Sequence, residues 1–385
     1  MGRGGDKDRP LRVVSLLGAA SEVVAALGLE RLLVGRSHEC KFPPSVRALP
    51  CVSSPALGPD LEQQSCATVH DRLSERVRRG LSRYHVDVEA IRRLQPDVII
   101  TQDACDVCAV TVSDLEAACT EYFKQRDDAG SACHVVSLRP ITVSDVWENM
   151  LQIAEAVGHT EEGCALVQAL QARWSLVRQQ VPLRGAPPRV VCVQWLQPVM
   201  GAGYWVPEIV ACAGGESHSG KPGDRTAMLS LEALLSLDPD VIVVMCCGLP
   251  VEAILKNLLT CEDLPQWNRL RAVQTDAVFV ADGDRYFNNS GPTIVDSAEI
   301  MLEILHARRF QQHRTPSDRT DAAAAAAGDA GVADTSASLP CSNGLVGGEG
   351  TESPKIEVKH EGRAYIQLTG GRVEAWHACD RRPRD

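Results

Sequence analysis

The sequence predicts an α/β protein: two doubly wound lobes with parallel sheets, joined by a single long helix, with a disordered C-terminal tail. Three observations predict it. Short β-branched runs alternate with helix-length segments, a helix–Pro-Asp–strand unit occurs twice, and a stretch of helix alone separates the two occurrences. At 385 residues the chain is long enough for two or three domains of roughly 150 residues each. Apolar residues at 44% and charged residues at 23% exclude a wholly disordered chain.

The elements follow in order. Leu11–Leu17 is a short apolar run and reads as a buried strand. Gly18 punctuates it, and Ser21–Leu27 reads as a helix stopped by Gly28. Leu32–Gly35 and Val98–Thr101 are further strands. The helix Glu89–Leu94 before the second of them is ended by Pro96. Val135–Leu138 closes the first lobe, residues 11–140.

Residues 141–182 are helical throughout. Val146, Met150, Ile153 and Val157 share one face; Gly158-His159-Thr160 breaks the pattern, and Val167, Leu170, Trp174, Val177 and Val181 resume it. Strand and helix then alternate again over 188–310, with strands at Arg189–Trp195 and Val241–Met245 and a helix at Pro207–Ala213. Residues 89–100 align with 232–243, seven of twelve positions identical at an offset of 143. One unit therefore occurs once in each lobe, which favours two homologous lobes. Residues 311–385 contain the homopolymer Ala322–Ala327 and Gly-, Ser- and Asp-rich sequence, a low-complexity and mostly disordered tail. Within it Lys355–Trp376 alternates enough for a weak hairpin, with nothing evident for it to pack on.

Charge and cysteine content bound the function. Lys plus Arg is 39 against 50 Asp plus Glu, a net charge of −11, which argues against nucleic acid or an anionic membrane as the main partner. No apolar run approaches the ~18 residues of a spanning helix. Met1–Pro10 is polar and is not a secretory signal, so the chain is expected to be cytoplasmic, organelle targeting being the other possibility. Fifteen cysteines in such a chain are expected to be mostly reduced thiols.

Several segments resemble a known family. They are Ser15-Leu16 with Ser21-Glu22, the twin Pro-Asp–strand units, residues 35–40 (GRSHEC) with Phe42-Pro43-Pro44, residues 101–110 (TQDACDVCAV), and Tyr286-Phe287 with Gly291-Pro292. Over about 11–310 the chain is similar to the iron-siderophore and cobalamin type of substrate-binding protein, the class III periplasmic-binding-protein-like group, and nearest to its cobalamin-binding branch. The resemblance implies two lobes on a rigid helical connector, a corrinoid or other metal chelate clamped between them, and a link to ABC transporters. It also implies that one Glu per lobe, here Glu89 and Glu232, docks on arginines of a membrane partner. The acidic first turn of a helix would place Glu at both positions in any case. The chain departs from the pattern in its tail and around Gly18 and Ser21, where the family has Pro and Thr.

Ligands of open parallel sheets bind outside the carboxyl ends of the strands. His38, Glu39 and Cys40 follow one strand, and Cys105 and Cys108 follow another at the same sheet edge. His38, Cys40, Cys105 and Cys108 supply one imidazole and three thiols, a donor set for a soft metal. Three readings stay open: the groups line the ligand pocket and touch the chelate's metal, they hold Zn²⁺ as a brace, or the thiols are a redox pair or inert. Aromatic residues are only 4% of the chain, yet Trp195, Tyr204, Trp205, Tyr286 and Phe287 follow strands of the second lobe, and flat faces there suit a large planar ligand. Ligand contact is thus assigned to Ser15, His38 and Glu39 in the first lobe and to those five aromatics in the second. Cys246 and Cys247 also follow a strand. No nucleophile elbow, phosphate loop or dinucleotide fingerprint is present, so binding rather than catalysis is expected. The alternatives are a zinc- or thiol-dependent enzyme on the same loops, and a scaffold presenting Glu89 and Glu232 to a protein partner.

Overall fold

The computed structural model describes residues 9–58, 63–79, 83–103, 110, 112–128, 132–182, 185–261, 264–306 and 364–369. The first lobe runs through β1 (Val13–Ser15), α1 (Gly18–Ala26), β2 (Leu33–Arg36), β3 (Ser53–Pro55), α2 (Cys66–Arg78), β4 (Tyr84–Val86), α3 (Val88–Leu94), β5 (Val98–Gln102), α4 (Val112–Asp128) and β6 (His134–Leu138). Four of its strands form an all-parallel sheet in the order β2-β1-β5-β6, and β3 pairs antiparallel with β4 in a separate ribbon. β1 and β5 are buried along their whole lengths, as their unbroken apolar runs require. The first strand is shorter than its run: Leu16 still donates to Ile100 O (2.8 Å), but the chain then turns and α1 begins at Gly18 rather than Ser21.

The connector is two helices, not one: α5 (Val143–Ala156) and α6 (Thr160–Gln179). Thr142 and Asp145 form a capping box that starts α5, and Gly158 at φ 77° supplies the left-handed residue that ends it. The helices pack through Trp147 and Trp174, whose rings meet edge to face at 6.2 Å.

The second lobe comprises β7 (Arg189–Leu196), β8 (Val199–Gly201), α7 (Val206–Cys212), β9 (Glu216–Ser217), β10 (Ala227–Met228), α8 (Leu231–Leu237), β11 (Val241–Val244), α9 (Val251–Leu259), α10 (Arg271–Gln274), β12 (Val278–Ala281), α11 (Ile294–His306) and β13 (Tyr365–Leu368). Its sheet order is β10-β8-β7-β11-β12-β13, with β9 also on β7. β7, β11 and β12 are parallel, while β8 and β10 extend one edge and β13 the other, antiparallel.

The repeated unit has the same anatomy in both lobes. Asp87 caps α3 by accepting from the Ala90 N–H (2.8 Å), and Ser230 caps α8 by accepting from Ala233 (3.1 Å). Gln95 and Asp238 end these helices in the left-handed region at φ 44° and 36°. Two residues on, the Asp97 carboxylate accepts the Arg12 N–H (2.9 Å) and Asp240 accepts the Arg189 N–H (2.7 Å). Each aspartate also donates its own N–H back to that arginine's carbonyl, at 2.8 and 2.9 Å.

The C-terminal alternation has a partner after all. β13 pairs with β12 in the register Val278↔Leu368 to Ala281↔Tyr365. Its signal is ambiguous from sequence because that partner lies far back along the chain. Tyr365 is buried against Phe279, their rings 6.0 Å apart, and its hydroxyl donates to Glu303 (3.5 Å). The rest of the expected disordered tail lies outside the described residues. Tyr365→Ala should lower stability by about 3 kcal/mol in urea unfolding, the usual cost of removing a buried ring. An unchanged midpoint would mean that β13 is not part of the folded lobe.

Candidate functional site at the lobe boundary

The carboxyl ends of the parallel strands bring two loops face to face. From the first lobe comes the loop after β2, with Ser37, His38, Glu39, Cys40, Lys41 and Phe42. From the second comes the loop after β12, with Asp282, Asp284, Arg285 and Tyr286. Lys41 Nζ pairs with Asp284 Oδ1 at 2.7 Å across the boundary. The Arg285 guanidinium lies 4.6 Å from the Phe42 ring centroid and 5.4 Å from that of Tyr286, a cation held against an aromatic from each lobe. Asp282 accepts the N–H groups of Asp284 (2.9 Å) and Arg285 (3.1 Å), so Asp282-Gly283-Asp284 is a turn that aims Arg285. A side chain at Gly283 would come within 2.0 Å of Cys246 O, so this turn needs glycine to pass the end of β11.

His38 is the best placed of the expected metal or ligand groups. Its Nδ1 lies 2.9 Å from Ser53 Oγ, its Nε2 lies 3.3 Å from Glu39 Oε1, and its ring packs on Tyr84 at 5.1 Å. Burial alone would raise the Glu39 carboxyl, but His38 and Lys41 outweigh it and hold the group below the usual carboxylate range. Burial wins at Asp284, which is raised despite its bond to Lys41.

Other expected residues serve the core. Cys40 is fully buried, with Sγ directed at Ser15 O (3.4 Å) and Ser37 Oγ (3.3 Å), so it does not join His38 as a ligand. Ser15 is also buried and donates to Leu17 O (2.8 Å). Phe287 is fully buried, its carbonyl accepting the Trp205 indole N–H at 2.7 Å. Tyr204 is half-buried at φ 53° beside Trp205. Cys105 and Cys108 lie outside the described residues. Among the described residues no group of three or more His, Cys, Asp or Glu side chains is placed to hold a metal ion, and the zinc brace is not supported.

Two boundary contacts were not foreseen in the sequence. Glu22, in α1, accepts from Asn289 Nδ2 (2.7 Å) and Thr293 Oγ1 (3.2 Å) of the second lobe. A glutamate within the otherwise apolar stretch Ser21–Leu27 is the signal that would have found it. At the start of α2, the Cys66 N–H donates to Asn257 Oδ1 (2.8 Å) and its carbonyl accepts the Trp195 indole N–H (3.2 Å).

Two α/β lobes on a helical connector, meeting through loops from their strand ends, define a two-lobed substrate-binding protein. The chain belongs to the family described as "Periplasmic binding protein", whose profile matches residues 13–284. Solved structures agree on the fold. The periplasmic heme-binding protein RhuT of Roseiflexus sp. RS-1 superposes with a TM-score of 0.56 at 19% identity, covering 80% of this chain and 100% of that one. The periplasmic vitamin B12 binding protein BtuF of Vibrio cholerae gives 0.53 at 20%, covering 76% and 96%. A periplasmic heme-binding protein of Pseudomonas aeruginosa gives 0.55 at 22%, covering 78% and 94%. A comparison with curated protein sequences gives no match.

This membership overturns the cytoplasmic expectation. The family and these structures are periplasmic, which points to an extracytoplasmic location. A polar N-terminal segment is no guide to where the folded lobes work. The expectation of reduced thiols stands apart from it: no disulfide joins the described cysteines.

Glu22 makes the lobe contact sensitive to pH. Burial pushes its carboxyl up to about 7 from 4.5, against the pull of Thr293, Arg285 and Asn289, and Asp296 adds to the rise. The closed contact therefore favours the protonated acid. Its contribution is complete below pH 4.5 and is lost as pH rises through 7, a change of about 3 kcal/mol. Thermal midpoints of the wild type and Glu22→Gln across this range should diverge, the variant showing the flatter profile. Parallel profiles would remove Glu22 from this role.

Proposed function

We propose that the protein captures a large planar metal chelate carrying anionic substituents, a cobalamin-like corrinoid or a heme, between its two lobes. The observation that carries this reading is Arg285. Its guanidinium is flanked by Phe42 and Tyr286 at the lobe boundary, and its buried Nε has no hydrogen-bond partner among the described residues. A half-buried guanidinium whose Nε lacks an acceptor favours a ligand that brings a carboxylate or phosphate, and the aromatic rings beside it suit the edge of a planar macrocycle. His38 adds an imidazole steadied at Nδ1 by Ser53, whose Nε2 suits an axial position on the chelated metal. Glu39 must release Nε2 for that. The Lys41–Asp284 pair closes the boundary here, so ligand entry requires it to part.

The family membership and the heme and vitamin B12 ligands named for the similar structures support this class of ligand. They also support binding rather than turnover. In this reading Trp205 backs the Tyr286 loop, its indole bonded to the Phe287 carbonyl with Tyr204 beside it, while Trp195 holds the start of α2 instead. Glu89 and Glu232 are exposed at equivalent positions, each in the first turn of its helix. They are the proposed docking points for a membrane partner's arginines, and Glu89 must give up its pairing with Arg92 (3.0 Å) to serve.

Visible-absorbance titrations with hydroxocobalamin and with hemin test the reading. A saturable band shift is expected with one of them. Arg285→Ala should weaken binding ~10- to 100-fold, the worth of charge-assisted hydrogen bonds. His38→Ala should alter the spectrum of the bound form. Absence of a saturable shift with both chelates would sink the proposal.

A further inference from the structure

Cys66 belongs to the first lobe and Cys246 to the second, and both lie at the boundary beside Trp195. Two separate sets of bonds bring them together. Cys66, the first residue of α2, is held to the second lobe through Asn257 (2.8 Å) and the Trp195 indole (3.2 Å). Cys246 follows β11, which runs alongside β7: Met245 N–H donates to Val193 O (2.8 Å) and Cys247 N–H to Gln194 O (3.2 Å). That register sets Cys246 next to Trp195, the same residue that grips the Cys66 carbonyl. Both cysteines are fully buried in the closed arrangement.

We propose that Cys66 and Cys246 form a dithiol that closes into a reversible disulfide and staples the two lobes together. The extracytoplasmic setting of the family supplies the oxidising conditions in which such bonds persist. The oxidant is a small-molecule disulfide, and the exchange balances in two steps. With the lobes parted, Cys66 loses its proton to solvent and its thiolate attacks the small disulfide, forming a mixed disulfide and expelling one small thiolate, which takes up that proton as a thiol. On closure the Cys246 sulfur displaces the second small thiol, giving its proton to that leaving group, and the Cys66–Cys246 bond forms. Two protein thiols are oxidised and one small disulfide is reduced to two thiols. In the closed arrangement the Cys246 side chain lowers the Cys66 thiol against its burial, the direction expected where two thiols face one another. Burial raises Cys246, the partner that reacts second.

The test needs no ligand, so its outcome is separate from that of the chelate titrations. The full chain is treated with oxidised glutathione at mildly alkaline pH, residual thiols are alkylated, and peptides are mapped without reduction. The expected result is a linked Cys66–Cys246 peptide that is absent from Cys66→Ser and from Cys246→Ser. The oxidised wild type should also show a higher thermal midpoint, returned by dithiothreitol. The second variant serves if the first fails to fold. Recovery of Cys66 as a singly alkylated or glutathionylated residue, or a link between Cys246 and Cys247, would overturn the proposal.

Discussion

The architecture depends on a carboxylate placed at the entry to one strand in each lobe. Asp97 and Asp240 each fix the main chain of the neighbouring first strand by accepting one N–H and donating another back to the same residue. Parallel strands have no hairpin to set their register, so such a clamp substitutes for one. Once β1 is aligned with β5, and β7 with β11, the lengths of these strands decide which residues emerge at the carboxyl edge. Basic side chains reinforce both clamps, Arg126 near Asp97 at 3.7 Å and Arg271 on Asp240 at 2.9 Å.

Several contacts across the lobe boundary are charged or polar. Lys41 with Asp284, Glu22 with Asn289 and Thr293, and Cys66 with Asn257 are contacts that water can replace when the lobes part. The connector is built differently. Trp147 and Trp174 interlock its two helices, and Arg173 ties α6 to Asp296 (2.8 Å) and Glu299 (2.9 Å) of α11. The connector is thus tied by interlocked rings and paired charges and the strand-end loops by single polar contacts, a division that fits the proposed capture of a bulky chelate.

Much of the fold was legible because it rests on local rules. The apolar runs, Gly158 and the Pro96 and Pro239 stops each act within a few residues, and the repeat at an offset of 143 exposed the two-lobed plan. β13 was harder to read, since its pairing with β12 joins segments distant in sequence. The site was only half legible. His38 and Glu39 emerge at the strand end as expected, whereas Cys40, two residues beyond His38, turns its thiol inward, and spacing alone does not settle a side chain's direction. Phe287 follows Tyr286 directly yet is buried, for the same reason. Arg285 was overlooked because its meaning comes from Phe42 in the other lobe, and Glu22 because its partners lie some 270 positions away.

The shared anatomy of α3 and α8 bears on any receptor for this protein. Each helix begins with a side-chain cap, carries an exposed glutamate at its second residue and ends in a left-handed turn before Pro-Asp. The molecule thus has an approximate twofold repetition written into an asymmetric chain. A receptor assembled from two copies of one subunit would meet the same feature twice, once on each lobe, and would need only one recognition surface to grip both. The differences between the lobes, such as the added strands β8, β10 and β13, would then decide which way round the molecule sits.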